Sequence, residues 1–193
     1  MPELLQQNRQ NHNTKKERTE KPQKTVLLIL ASLPEDTPYA QYYIDILEKN
    51  NIRYDILGWN RKGKDYNSCK NKFIYNKPTN DNFPFWKKLI EIYKYYKFVM
   101  HHLSHNTYST IIIFTIQISF YMQRYLTKHY NKRYIFDIRD YSPIMKFQLG
   151  RHTIKKMLLN SALNCISSYG FKNWLPSGIN YIISHNIRER LLY

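Results

Sequence analysis

The densest chemistry in this chain lies in the segment 134–143, YIFDIRDYSP. An apolar run leads into Arg139, Asp140 and Tyr141: a cation, an anion and a phenol. A buried strand ordinarily ends in turn residues. Asp140, at a strand end, can accept a proton from a hydroxyl. Arg139 can hold a phosphate or carboxylate through its planar fork. The competing reading is a salt-bridged strand terminus. Asp137 falls inside the strand, where an unpaired carboxylate is costly. Its expected role is structural, paired with Arg139 or with a backbone amide.

Other candidates lie elsewhere along the chain. The turn 32–38, SLPEDTP, lacks the glycines of a dinucleotide-binding GxGxxG loop, so close backbone approach to a pyrophosphate is not expected there. Asp36 and Thr37 either cap the helix that follows or, with Tyr39, face an acceptor sugar. His101, His102 and His105 form HHxxH near a helix end. His101 and His105 share a face, but no carboxylate or cysteine lies in step with them, and no metal is expected. Ser184, His185 and Asn186 follow the last strand, as cleft contacts or as an ordinary junction. Lys87, Lys88 and Lys94, among the tyrosines of 86–96, form either a solvated face or an anion- or membrane-facing patch, since lysines are attracted to anionic bilayers.

These residues need a frame. The run 25–31, TVLLILA, is continuously apolar and of strand length, as in a strand buried on both faces. Helical spacing follows over 39–50, and a strand over 52–59. A short strand is expected at 73–75. The strongest helix spans 83–103, with Trp86, Leu89, Ile90, Tyr93, Tyr96, Met100 and Leu103 in one apolar stripe. Next come a strand at 110–116, a helix at 119–130, the strand at 134–140 and a helix at 151–162. A short strand at 164–168, a helical turn at 170–175 and a last strand at 179–184 complete the series. Strand and helix alternate. That pattern argues for an α/β, Rossmann-like domain, a mostly parallel sheet flanked by helices with right-handed crossovers. In such sheets ligands bind outside the carboxyl ends of the strands.

Composition bounds the function classes. The chain has 193 residues, enough for one domain with a sizeable core. Thirty Lys and Arg against 14 Asp and Glu give a formal charge of +16. Such an excess attracts nucleic acid, an acidic membrane face or phosphorylated substrates. The 18 Tyr, 9 Phe and 3 Trp suit base, sugar or membrane-interface contacts, though an AT-rich genome raises Lys, Asn, Ile and Tyr as well. Cys69 and Cys165 stand alone, which argues against a disulfide framework and for a reducing compartment. Residues 1–24 are polar and read as a flexible basic arm, without the apolar core of a secretory signal. No run reaches the ~18 apolar residues of a membrane helix.

Four segments, in order, resemble the N-terminal, acceptor-binding domain of a GT-B fold glycosyltransferase of the family-4 type, from bacterial capsule and surface polysaccharide synthesis. TVLLILASLPEDTPYAQYYIDILEKNNIRYDILGWNR resembles the opening strand-helix-strand, ending in Trp-Asn-Arg. YIFDIRDYSP resembles the DIRD-aromatic-x-P segment. SALNCISSYGFKNWLP and INYIISHNI resemble the serine-containing stretch and the His-Asn exit strand. The likeness covers residues 24–187.

The resemblance implies a domain at 25–187 that binds the acceptor, a saccharide or lipid-linked glycan. It implies catalysis by Asp140 with Arg139, and substrate contacts from Tyr141, Ser168, Tyr169, His185 and Asn186, beside Asp36 and Tyr39. No cofactor is implied. A nucleotide-sugar would be the donor substrate, bound mainly by a second domain. That domain's donor-binding segment has no counterpart here, and residues 188–193 read as the truncated start of its linker. The chain is thus expected to be inactive alone and to work with a separate donor-binding polypeptide, in the cytoplasm and peripheral at the inner membrane face. Two rival expectations are a non-enzymatic Rossmann-like binding module and a nucleic-acid binder. Charge alone motivates the latter, and no recognition helix or RNP-type motif supports it.

Overall fold

A computed structural model describes residues 25–66, 70–80 and 82–184. Seven strands form one sheet in which every pairing is parallel. They are β1 (Thr25–Ile29), β2 (Arg53–Trp59), β3 (Lys72–Tyr75), β4 (Thr110–Ile113), β5 (Tyr134–Ile138), β6 (Leu163–Ile166) and β7 (Ile182–Ile183). Their spatial order is β3-β2-β1-β4-β5-β6-β7. The direction of winding therefore reverses between β1 and β4, and that junction is the topological switch point where α/β sheets open a crevice. The fold is the α/β, Rossmann-like arrangement that the alternating pattern implies.

Among the described residues four α-helices flank the sheet: α1 (Pro38–Lys49), α2 (Phe85–His105), α3 (Ile116–His129) and α4 (Gln148–Asn160). α1 packs Ala40, Ile44 and Leu47 against Val26, Leu28, Leu30, Ile112 and Phe114. The other three helices cover the opposite face, against Leu27, Ile29, Ile111, Ile113, Phe136 and Ile138. One helix before the reversal and three after it, on opposite faces, is what right-handed crossovers produce. Leu27 to Leu30 are wholly buried. Each such side chain contributes about 1.5–3 kcal/mol on burial, which explains why the apolar run TVLLI makes the central strand.

Three local departures from the sequence reading are seen. The strand at 110–116 stops at Ile113, and α3 begins at Ile116 rather than 119, because Thr115 accepts a hydrogen bond from the Ile118 amide and caps the helix. The unbroken run IIIFTIQISFY hides that cap. α4 begins at Gln148 rather than 151. α2 does not bury its whole apolar stripe. Its buried line is Tyr95, Val99, His102 and Leu103, while Trp86, Ile90 and Tyr93 are exposed. Tyr95 can face the core because its hydroxyl donates to the carbonyls of Leu30 (2.6 Å) and Leu57 (3.1 Å), at the ends of β1 and β2.

Candidate functional site at the carboxyl edge

β5 ends at Ile138, so Arg139 and Asp140 lie just past the carboxyl end of a central strand. Arg139 folds back into the protein. Its guanidinium donates to the buried Asp137 carboxylate at 2.5 Å and to the Ser184 carbonyl at 2.6 Å, and lies 5.2 Å from the centre of the Tyr39 ring. Tyr43 of α1 donates its hydroxyl to the same Asp137 oxygen at 2.7 Å. Asp137 is fully buried and Arg139 nearly so. Burial pushes the Asp137 carboxyl up, opposed by the hydrogen bond and charge of Arg139 and by the Tyr43 hydroxyl. The pairing expected for Asp137 is observed. Arg139 clamps the ends of β5 and β7 together.

Asp140 points the other way. It is exposed, and among the described residues it makes no ion pair or hydrogen bond. Its carboxylate lines a cleft of about 310 Å³ bounded by Ala31 after β1, Trp59 and Arg61 at the end of β2, Thr115 after β4, and Ser142, Pro143 and Ile144 after β5. Lys88, Leu89, Ile92 and Tyr95 of α2 form its outer wall, with Gln117 and Ile118 of α3 beside them. The cleft sits at the switch point between β1 and β4. Tyr39 lines it as well, and its phenol is pushed up to about 12, by burial first and then by the carboxylates of Asp140 and Asp137. Tyr39 therefore stays protonated at neutral pH and can donate a hydrogen bond. The cleft offers the Asp140 carboxylate, a phenol donor, the cation Lys88, the Arg61 guanidinium stacked on Trp59, a Glu91 carboxylate paired with Lys94, and apolar walls. That set suits a hydroxyl-bearing, partly apolar ligand with an anionic group.

The remaining sequence candidates are dispersed. Asp36 does not cap α1: it is paired with Lys64 at 2.6 Å, and the hydrogen bond from Lys64 holds its carboxyl below the usual range. Thr37 occupies the cap position but gives no side-chain cap, donating instead to the Leu33 carbonyl at 2.8 Å. Tyr141 turns outward and packs edge-on against Trp174, ring centres 5.1 Å apart. Ser168 and Tyr169 follow β6 on the same edge of the sheet but outside the cleft lining. His185 and Asn186 lie outside the described residues. The cleft residues that sequence reasoning missed are Arg61, Thr115, Gln117 and Ser142, while Lys88 enters the cleft wall from the basic, tyrosine-rich patch of 86–96. Arg61, Thr115 and Ser142 each follow the carboxyl end of a strand, the signal that could have found them.

Within the HHxxH cluster, His102 and His105 are engaged by neighbouring groups. His102 is buried, its Nε2 2.6 Å from the Tyr108 hydroxyl, which in turn donates to Asp55 at 2.8 Å. The phenol has one proton to give, so His102 donates to it. The rings of His101 and His105 lie 4.7 Å apart. Among the described residues no three His, Cys, Asp or Glu side chains converge on a metal position. A wider, open depression of about 1070 Å³ lies at the opposite edge, near Thr25, Asp55 and Tyr108. Two of its polar groups, Asp55 and Tyr108, are bonded to each other. No helix among the described residues is long and apolar enough to cross a membrane. No protein-family model and no curated protein sequence matches the chain.

Proposed function

We propose that this domain is the acceptor-binding half of a GT-B glycosyltransferase of the family-4 type, acting in surface or capsular polysaccharide synthesis. The single observation that carries the reading is the cleft at the switch point with an unpaired Asp140 carboxylate at its lip. In the proposed reaction Asp140 orients the acceptor hydroxyl and takes its proton as the hydroxyl oxygen attacks the anomeric carbon of a nucleotide-sugar. The nucleoside diphosphate leaves with the electron pair of the broken glycosyl bond. Tyr39 donates to a neighbouring sugar oxygen, and Lys88 and Arg61 attract the acceptor's anionic group. Arg139 is a positioning residue that fixes the Asp140 backbone. A donor-binding domain supplies the nucleotide-sugar site, and the acceptor is a lipid-linked glycan met at the cytoplasmic membrane face.

The test is a transfer assay with the chain, a complementing donor-binding polypeptide, labelled nucleotide-sugars and a lipid-linked acceptor. Asp140→Ala is expected to lower kcat about 10²–10⁴-fold, the usual share of a general base, with normal acceptor binding. Unchanged turnover would refute the catalytic assignment and leave a non-enzymatic binding module in its place.

A further inference from the structure

α2 carries an apolar face that the fold covers only in part, where Tyr93 meets Tyr121 of α3 with ring centres 5.6 Å apart. On an α-helix, residues 86, 90 and 93 share one side. Here that side points away from the sheet. Trp86 is 63% exposed, Ile90 45% and Tyr93 43%, while Tyr95 and Val99 on the reverse side are buried. The patch extends to the start of α4. Phe85, 47% exposed, lies 6.5 Å from Phe147, 57% exposed, and Leu149 beyond it is 70% exposed. The first turns of α2 and the start of α4 thus expose six large apolar side chains, with Phe85 and Phe147 linking the two helices.

The charges around this patch are predominantly positive. Lys94 and Lys97 are exposed on α2, Lys87 covers the Phe83 ring at 3.8 Å, and Lys146 and Arg151 flank Phe147 and Leu149 in sequence. The acid among them, Glu91, is already held by Lys94 at 2.8 Å. Protein interfaces are depleted in lysine. Lysines interleaved with Trp, Tyr and Phe suit a lipid headgroup layer. There the rings sit at the polar boundary, the ammonium groups reach up to phosphates, and juxtamembrane lysines add electrostatic attraction.

We infer that the amino-terminal turns of α2 and α4 dock on an anionic bilayer, inserting Trp86 and Phe147 into the headgroup boundary. The inference deepens the lipid-linked acceptor reading, because Phe85 and Lys88 belong both to this region and to the wall of the Asp140 cleft. The cleft then opens toward the membrane surface.

The full chain is tested by co-sedimentation with phosphatidylcholine vesicles with and without phosphatidylglycerol, following tryptophan emission. Trp59 is buried and Trp174 half-buried, so a blue shift on binding reports chiefly Trp86. Binding is expected with phosphatidylglycerol present, with a blue shift, and is expected to weaken at least tenfold in Trp86→Ser/Phe147→Ser and in Lys87→Glu/Lys94→Glu/Lys97→Glu. Ile46→Ser, which removes an exposed side chain from α1 on the far face, is expected to bind normally. Circular dichroism establishes that each variant is folded. Three results would overturn the inference: no binding, binding that these variants leave intact, or an apolar patch that instead holds a dimer, seen as a monomer shift of Trp86→Ser/Phe147→Ser in sedimentation velocity. No sugar enters this assay, so its failure leaves the transfer reading standing, and failed transfer leaves vesicle binding unaffected.

Discussion

Arg139 and Asp140 are adjacent in sequence and opposite in situation. Arg139 is buried against Asp137, Ser184 and Tyr39, whereas Asp140 faces the cleft. Substitution should separate them. Arg139→Met leaves the Asp137 carboxylate buried without its cation, and breaking a buried pair this way costs about 3–5 kcal/mol. A urea titration is expected to show that loss. Asp140→Asn, at an exposed position without partners among the described residues, should stay within about 0.5 kcal/mol of the parent. If Asp140→Asn destabilises as much as Arg139→Met, the carboxylate is structural. The sequence made the Asp137–Arg139 pair legible because a charge inside an apolar strand demands a partner. It concealed the Tyr43 hydroxyl, which arrives from 94 residues away, and it left open whether Arg139 faces ligand or core.

At the scale of elements, the cleft depends on how its walls are seated. The turn Pro143–Lys146 packs against α4 at Gly150, where an added Cβ would lie 2.0 Å from the Ile144 carbonyl oxygen. Gly150→Ala must displace that turn, a cleft wall, and is expected to cost about 1–3 kcal/mol and to weaken acceptor binding as well. A variant of parent stability in thermal unfolding would show the contact to be soft. Thr115→Ala removes the α3 cap and should cost about 1 kcal/mol by the same measurement. β1 was legible because a continuous apolar run leaves few alternatives, and β2 because its residues alternate. The start of α3 was not, since its cap Thr115 sits inside an apolar stretch, nor that of α4, which has no capping side chain. The two-residue β7 was over-read because isoleucines at 179, 182 and 183 suggest a longer strand than the pairing with β6 uses.

At the scale of the molecule, burial of many phenols sets the alkaline limit. Tyr39, Tyr54 and Tyr181 are each pushed up to about 12, in every case by burial first. Burial likewise raises Tyr43, Tyr95, Tyr108 and Tyr134. Above about pH 10 the unfolded chain releases these protons while the folded chain retains them. The folded state then binds more protons, so stability falls as pH rises. Unfolding by near-ultraviolet circular dichroism is expected between about pH 10 and 12, together with phenolate absorbance. Phenolate appearing well below the loss of fold would contradict it. The reversal of strand order between β1 and β4 is what brings Ala31, Tyr39, Thr115 and Asp140 to one crevice. The most direct test of that crevice as the acceptor site is a backbone amide NMR titration with a short-chain polyprenyl diphosphate sugar. Shifts should concentrate at Ala31, Tyr39, Lys88, Thr115 and Asp140. Shifts confined to Thr25, Arg53, Asp55 and Tyr108 at the opposite edge, or none at all, would contradict it.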